Sequence, residues 1–263
     1  AALKPPEKVN LMLRLDHFVV HIDDDVAMLK SLKDRIEPLG FPFDPSRGKG
    51  TKGFKVANIW IGDQYLELPW IKSRDGGGWK KEWVEKYHQG KRGIFGLCLM
   101  TDQLDHVRNE LMARGIPAGD PERITFRMLF GLLKKTLPFR LVFTPPIPGT
   151  DLQIFFLEMD SQRQLEMMKK YFMVPNARDY GITGIREAIV KSHFSAEAWE
   201  YIEKLFPNLV GSRAKATFDM GETKLTFEQS QQDDLWVELR AATAKENLRD
   251  GRFTIENVEV VVQ

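Results

Sequence analysis

Three glutamates of this 263-residue chain stand alone between apolar neighbours: Glu67 in Tyr65-Leu66-Glu67-Leu68, Glu158 in Phe156-Leu157-Glu158-Met159 and Glu238 in Trp236-Val237-Glu238-Leu239. A carboxylate in such a setting can hold a metal ion or move a proton. It can equally hydrogen-bond backbone at a sheet end or pair with an arginine. His17 and His21 bracket the strand-like run Leu13–Ile22, LRLDHFVVHI. At about 3.3 Å per residue they lie roughly 13 Å apart, so one metal cannot hold both at bond length. The two-histidine logic of a metal-binding helix does not apply to a strand. His17 reads either as a ligand or as a satisfied core histidine. Cys98 is the only cysteine, set in the apolar run Gly96-Leu97-Cys98-Leu99-Met100. It forms no intramolecular disulfide and no multi-cysteine zinc site, and it reads as a small buried hydrophobe.

The elements that position these residues recur. Leu13–Ile22 is a strand, Asp23, Asp24 and Asp25 start a helix over Val26–Glu37, and Pro38 and Gly40 stop it. Phe54–Ile61 and Gln64–Trp70 form a hairpin around the Gly62-Asp63 turn. The order repeats as strand Gly93–Met100, helix Asp102–Arg114, strands Arg123–Phe130 and Phe139–Thr144, and a closing run Asp151–Met159. A third copy opens with Ile185–Lys191, continues with a helix capped by Ser195, and has strands at Ala214–Asp219, Lys224–Glu228 and Leu235–Arg240. Aligned on their helix starts, His17, Gly96 and Glu187 are equivalent, and the closing glutamates follow 50, 62 and 51 residues later. A repeat of this size makes the chain modular. Residues 1–160 read as a module pair (about 13–70 and 93–160), 161–180 as a helical linker, and 181–263 as a third βαβββ-like module completed by an extra C-terminal strand over Thr254–Val262, the alternative for that strand being a truncated fourth module. Trp79, Trp83 and Tyr87 mark a helix face that packs on the sheet.

Basic and acidic residues nearly balance, 38 against 37. Such a chain has no general attraction to nucleic acid or anionic membrane, and Lys134-Lys135 reads as a solvated edge. No apolar run is long enough to span a bilayer. The polar, proline-containing first ten residues lack a signal segment, and the expected location is cytoplasmic. Dinucleotide, phosphate-loop and nucleophile-elbow motifs are missing.

The pairing of Leu15-Asp16-His17-Phe18-Val19-Val20 with Gly62-Asp63-Gln64-Tyr65-Leu66-Glu67-Leu68 resembles the first module of glyoxalase-like proteins of the vicinal-oxygen-chelate superfamily. The resemblance covers roughly Leu13–Asp160, with a weaker copy beyond. It implies an α+β fold in which paired βαβββ modules curve around a cleft, with a third C-terminal module added. It places His17, Glu67 and Glu158 at metal-ligand positions, with Glu67 and Glu158 as the catalytic carboxylates. Zn, Ni, Mn or Fe(II) suits such donors. An open coordination position would polarise vicinal oxygens, as in a metal-dependent isomerase, lyase or dioxygenase. Gly96 departs from the pattern, since a second opening-strand ligand is expected there. The other reading is a metal-free protein that sequesters a small, partly hydrophobic molecule against Trp60, Tyr65, Phe95, Phe130, Phe143 and Phe156. A small-molecule ligand is the expected partner, and pairing of modules between chains would make a homodimer.

Overall fold

The run from Arg14 to His21 is β-branched and aromatic, and it forms β1 (Arg14–His21). The computed structural model describes residues 12–128 and 133–263. Asp25 caps the first helix by accepting from the Ala27 amide (2.8 Å), and α1 (Val26–Ile36) buries Leu29, Leu32 and Ile36. There follow β2 (Lys49–Gly50), β3 (Phe54–Ile61) and β4 (Gln64–Ile71). Gly62, at φ 68°, makes the turn between β3 and β4 that only glycine adopts readily. After α2 (Lys81–His88) the second module supplies β5 (Gly93–Met100), α3 (Leu104–Ala113), the hairpin β6 (Thr125–Met128) and β7 (Leu133–Thr136), then β8 (Phe139–Pro146) and β9 (Gln153–Met159). Ser161 caps α4 (Gln162–Tyr171). The C-terminal half contains β10 (Ile182–Ser192), α5 (Ala196–Leu205), β11 (Val210–Ser212), β12 (Lys215–Asp219), β13 (Lys224–Gln229), β14 (Trp236–Thr243), β15 (Arg252–Ile255) and β16 (Val258–Val262).

These strands form two seven-stranded sheets, ordered β2-β3-β4-β1-β5-β9-β8 and β11-β12-β13-β10-β14-β16-β15. The second order repeats the first, strand for strand. In each sheet the opening strand pairs parallel with one neighbour (β1 with β4, β10 with β13) and antiparallel with the other (β1 with β5, β10 with β14). One irregularity is shared as well. A bulge interrupts β1 between Leu15 and His17, and another interrupts β10 between Ile185 and Glu187.

The topology corrects one sequence expectation. Leu235–Arg240 does not close a third module. As β14 it holds the place in the second sheet that β5 holds in the first, and β15 and β16 hold the places of β8 and β9. The C-terminal run Thr254–Val262 is two strands around a Glu256-Asn257 turn, rather than one added strand. Glu238 therefore lies on an opening-type strand and is not the counterpart of Glu67.

The larger core joins the helix-covered faces of both sheets, with Phe18, Leu66, Leu97 and Phe156 from the first and Val190, Phe227, Leu239 and Val260 from the second. A smaller core lies on the opposite, inner face of the first sheet. It gathers Val19, Phe95, Cys98, Phe155 and Leu157 with Trp83 of α2 and Leu165 of α4. The inner face is thus roofed in part by α2 and α4.

Candidate functional site

A regular strand sends successive side chains to opposite faces. The β1 bulge breaks that alternation, because two residues oppose one and the extra residue is re-aimed. Asp16 is the extra residue. Its Oδ2 lies 2.6 Å from His17 Nδ1, and both side chains are buried. On the other side of the ring, His17 Nε2 lies 3.8 Å from Glu67 Oε2. The Tyr65 ring stacks on the imidazole at 4.5 Å, and the Phe155 edge meets it at 5.4 Å. Directly across the β1–β5 pairing from His17 stands Cys98, fully buried. Its sulfur, an Asp16 carboxylate oxygen and a His17 ring nitrogen all lie within 4.8 Å of one another.

The electrostatics of this row are anionic. Among the described residues no lysine or arginine pairs with Asp16 or Glu67. Burial raises Glu67 above its ordinary carboxylate value; His17 opposes the shift and Asp16 adds to it. Burial, then Asp16 and Glu67, pushes the Tyr65 hydroxyl and the Cys98 thiol well up. The arrangement is a carboxylate–imidazole–carboxylate row with no countercharge. Such a donor set fits a divalent cation: the Asp16 carboxylate fixes the imidazole from its far nitrogen, as is usual for metal-binding histidine. His17 and Glu67 would hold the ion, with Asp16 and Cys98 beside it.

A two-fold axis between the paired residues Phe18 and Leu97 exchanges His17 with Gly96 and Val19 with Cys98. It also exchanges their neighbours Glu67 on β4 and Phe155 on β9. The second module therefore offers no donor where the first offers His17 and Glu67. Gly96 is also closed to enlargement. A Cβ there would lie 2.9 Å from Phe155 Cε1 and 2.9 Å from Trp83 Cη2.

Glu158 is not part of this row. It lies three residues beyond Phe155, on the helix-covered face. There it accepts from the Leu104 amide (3.4 Å) at the start of α3 and from Arg140 Nε (3.1 Å). Arg140 continues to Asp105. Glu158 caps a helix and holds an arginine. Phe156 also points into the larger core, away from His17. Its neighbour Phe155 occupies the place on the inner face. Trp60 packs on Tyr65 at 4.4 Å, and Phe143 stacks on Phe155 at 4.9 Å, so both belong to the site's walls. Phe95 packs instead on His21, at 4.3 Å. Phe130 lies outside the described residues.

His21 forms a separate buried knot. Its Nε2 accepts from Trp79 Nε1 (2.9 Å), which leaves the proton on Nδ1, where no acceptor is found among the described residues. Burial first, and Arg92 second, lower its pKa from 6.5 to about 3. Trp83 Nε1 likewise has no acceptor. Trp83 also lines a cavity of about 320 Å³ with Lys80, Phe143, Thr144 and Gln153.

Sequence reasoning missed Asp16 and Cys98. The histidine beside Asp16 was a usable signal, but regular strand alternation would turn the aspartate to the face opposite His17. Nothing in the apolar run around Cys98 distinguishes it from a core residue.

In the second sheet the row is filled differently. The register makes Glu187 the counterpart of His17, Thr226 of Glu67, Glu238 of Gly96 and Arg240 of Cys98. Arg240 bonds Glu187 (2.7 Å) and Glu238 (2.8 Å), Lys191 bonds Glu238 (2.7 Å), and Thr226 donates to Glu187 (3.1 Å). These charges neutralise one another within the sheet.

A family model described as a glyoxalase-like domain matches residues 15–202. Among solved structures, a hypothetical protein from Staphylococcus aureus is 15% identical, with 96% of this chain and 99% of that one covered at a TM-score of 0.69. Methylmalonyl-CoA epimerase from Mycobacterium tuberculosis is 14% identical, with 57% and 89% covered at 0.40. No curated protein sequence matches the chain.

Proposed function

The chain belongs to the glyoxalase-like domain family, and from that membership we propose that its first sheet carries a divalent-metal-dependent isomerase or lyase site for a small, oxygen-bearing, partly hydrophobic molecule. The observation that supports this most is the uncompensated row Asp16–His17–Glu67, with contacts of 2.6 and 3.8 Å inside an apolar enclosure. His17 Nε2 and the Glu67 carboxylate would hold the ion. A bound divalent ion supplies Lewis acidity at a substrate carbonyl or vicinal oxygen. Asp16 accepts from His17 Nδ1–H, so the Nε2 lone pair faces Glu67. Glu67, whose pKa burial raises, would be the base for the carbon-bound proton when it is not coordinating the ion, and would return that proton to the product. Tyr65 and Phe155 pack against the His17 ring, and Trp60 backs Tyr65. The cavity of about 320 Å³ shares the Phe143 wall with the site but is lined by none of Asp16, His17, Glu67 and Cys98.

One observation favours a second reading, in which the walls sequester a hydrophobic ligand without metal. Gly96 and Phe155 occupy the two positions where the second module would complete a four-ligand set. Elemental analysis of chain purified without chelator or immobilised nickel separates the two readings. Near-stoichiometric metal is expected in the wild type, lost in both His17→Ala and Glu67→Ala with the circular dichroism spectrum retained. Unchanged metal content in both variants would sink the metal reading. A chain that takes up no Zn, Ni, Mn or Fe(II) would turn the assignment to sequestration.

A further inference from the structure

The first module supplies two ligands to the proposed ion and the second module supplies none at the symmetric positions. The inner face of β5 nevertheless presents one donor. Cys98 lies two residues beyond Gly96 on the same face and directly opposite His17. Its sulfur shares a 4.8 Å neighbourhood with donor atoms of Asp16 and His17, and no part of the residue is exposed. Ligands around one zinc-sized ion sit roughly 2.0 to 2.3 Å from it. Cys98 and His17 are thus close enough for side-chain rotation to bring both onto one ion, while Glu67, 3.8 Å from His17 Nε2, lies outside that group and would have to move toward it.

The second sheet gives an independent reason to look at this locus. The residue at the position of Cys98 is Arg240. Its guanidinium lies between the counterparts of His17 and Gly96, at 2.7 Å from Glu187 and 2.8 Å from Glu238. One copy of the sheet thus sets a covalently attached positive charge at this place in the row. The other copy gathers two carboxylates, an imidazole and a thiol around the same place, and among the described residues no lysine or arginine pairs with its carboxylates.

We propose that Cys98 is a thiolate ligand to the ion held by His17, resting on the metal reading above. Coordination exchanges the S–H proton for the metal and releases that proton to solvent. The donor set then combines nitrogen, carboxylate oxygen and one sulfur. It selects thiolate-tolerant ions such as Zn(II), Co(II) and Fe(II) over Mg(II), Ca(II) and Mn(II). A single cysteine is too few for a closed structural zinc site, but it can serve as one ligand among several at an open one.

Cobalt is the probe, added to the full metal-free chain. The wild type is expected to bind about one Co(II) and to show near-ultraviolet thiolate-to-cobalt charge-transfer absorption. Cys98→Ser, nearly isosteric, should lose that absorption and bind Co(II) and Zn(II) at least about 10-fold more weakly, with circular dichroism and thermal midpoint as checks on folding. Cys98→Ala should behave the same way if serine distorts the strand. Cobalt bound by the wild type and lost in His17→Ala, yet without charge-transfer absorption, overturns the Cys98 ligand and leaves the His17 site standing. Unchanged affinity in both cysteine variants overturns it as well. A wild-type chain that binds neither ion refutes the metal site itself, and the cysteine assignment with it.

Discussion

Enlarging Gly96 by a single carbon should be costly, and Trp83 should account for much of the cost. In Gly96→Ala the new Cβ meets Phe155 Cε1 and Trp83 Cη2 at 2.9 Å, and Trp83 Cζ2 at 3.1 Å. Carbon atoms prefer roughly 3.5 to 4.0 Å, so the two rings must move by several tenths of an ångström. Both rings are buried, at 3% and 4% exposure, within the smaller core, where displaced side chains have little room. Overpacking of this kind destabilises by about 1 to 3 kcal/mol. Trp83→Leu alone should cost about 2 to 4 kcal/mol through lost burial and a cavity. In the double variant the tryptophan contacts are gone and only the Phe155 contact remains. The alanine should then cost at least about 1 kcal/mol less than it does beside Trp83. The assay is urea unfolding of the four chains, read as a double-mutant cycle. Changes that add to within about 0.5 kcal/mol, or a Gly96→Ala variant as stable as the wild type, would refute the claim that α2 fills the space of a second-module ligand.

Acid should destabilise the fold through His21. In the unfolded chain an imidazole takes up its proton near 6.5, whereas in the fold it does so near 3. Between those values the unfolded state binds the extra proton, so stability is fully present above pH 6.5 and falls as pH drops toward 3. The wild type should lose about 3 kcal/mol more than His21→Gln between pH 7 and pH 4; parallel urea midpoints for the two chains across that range would show the argument to be mistaken. Asn176 is the second target. Its side chain accepts from the Gly62 amide (3.0 Å) and donates to the Gly62 carbonyl (2.8 Å) while also binding Arg178 and Met173. Asn176→Ala leaves these buried groups unpaired and should cost about 2 to 4 kcal/mol, and a change below about 0.5 kcal/mol in chemical denaturation would contradict it.

Local features of the chain were readable where local forces decide them. Phe54–Ile61 and the glycine turn after it are set by β-branched residues and a positive φ, and the observed β3 and β4 hairpin matches the reading to within a residue. Asp25, Ser161 and Ser195 cap helices through bonds two or three residues away. The proximity of His17 and Glu67 was also readable, since each belongs to a distinctive strand and the two strands are neighbours. Register is a different matter, because it depends on a partner far along the chain. Glu158 matches the closing pattern in letters, but pairing with β5 places it three residues past the inner row and turns it to the other face. Glu238 matches the same pattern on a strand that pairs with β10 rather than closing a meander. Asp16 depends on a bulge, which no period-two reading can anticipate.

That bulge recurs at the same point of β10, where Arg186 occupies the place of Asp16 and reaches outward to Glu222 at 3.5 Å. No carboxylate–imidazole pair is formed there. An irregularity shared by a sheet that lacks the carboxylate–imidazole pair belongs to the architecture, since bulges tighten strand twist and bend a sheet into a curl. The contact between Asp16 and His17 is therefore preorganised by curvature. The backbone distortion that brings two consecutive side chains to one face is sustained by the whole seven-stranded assembly. Substituting either residue should alter the chemistry of the site while leaving its backbone frame in place.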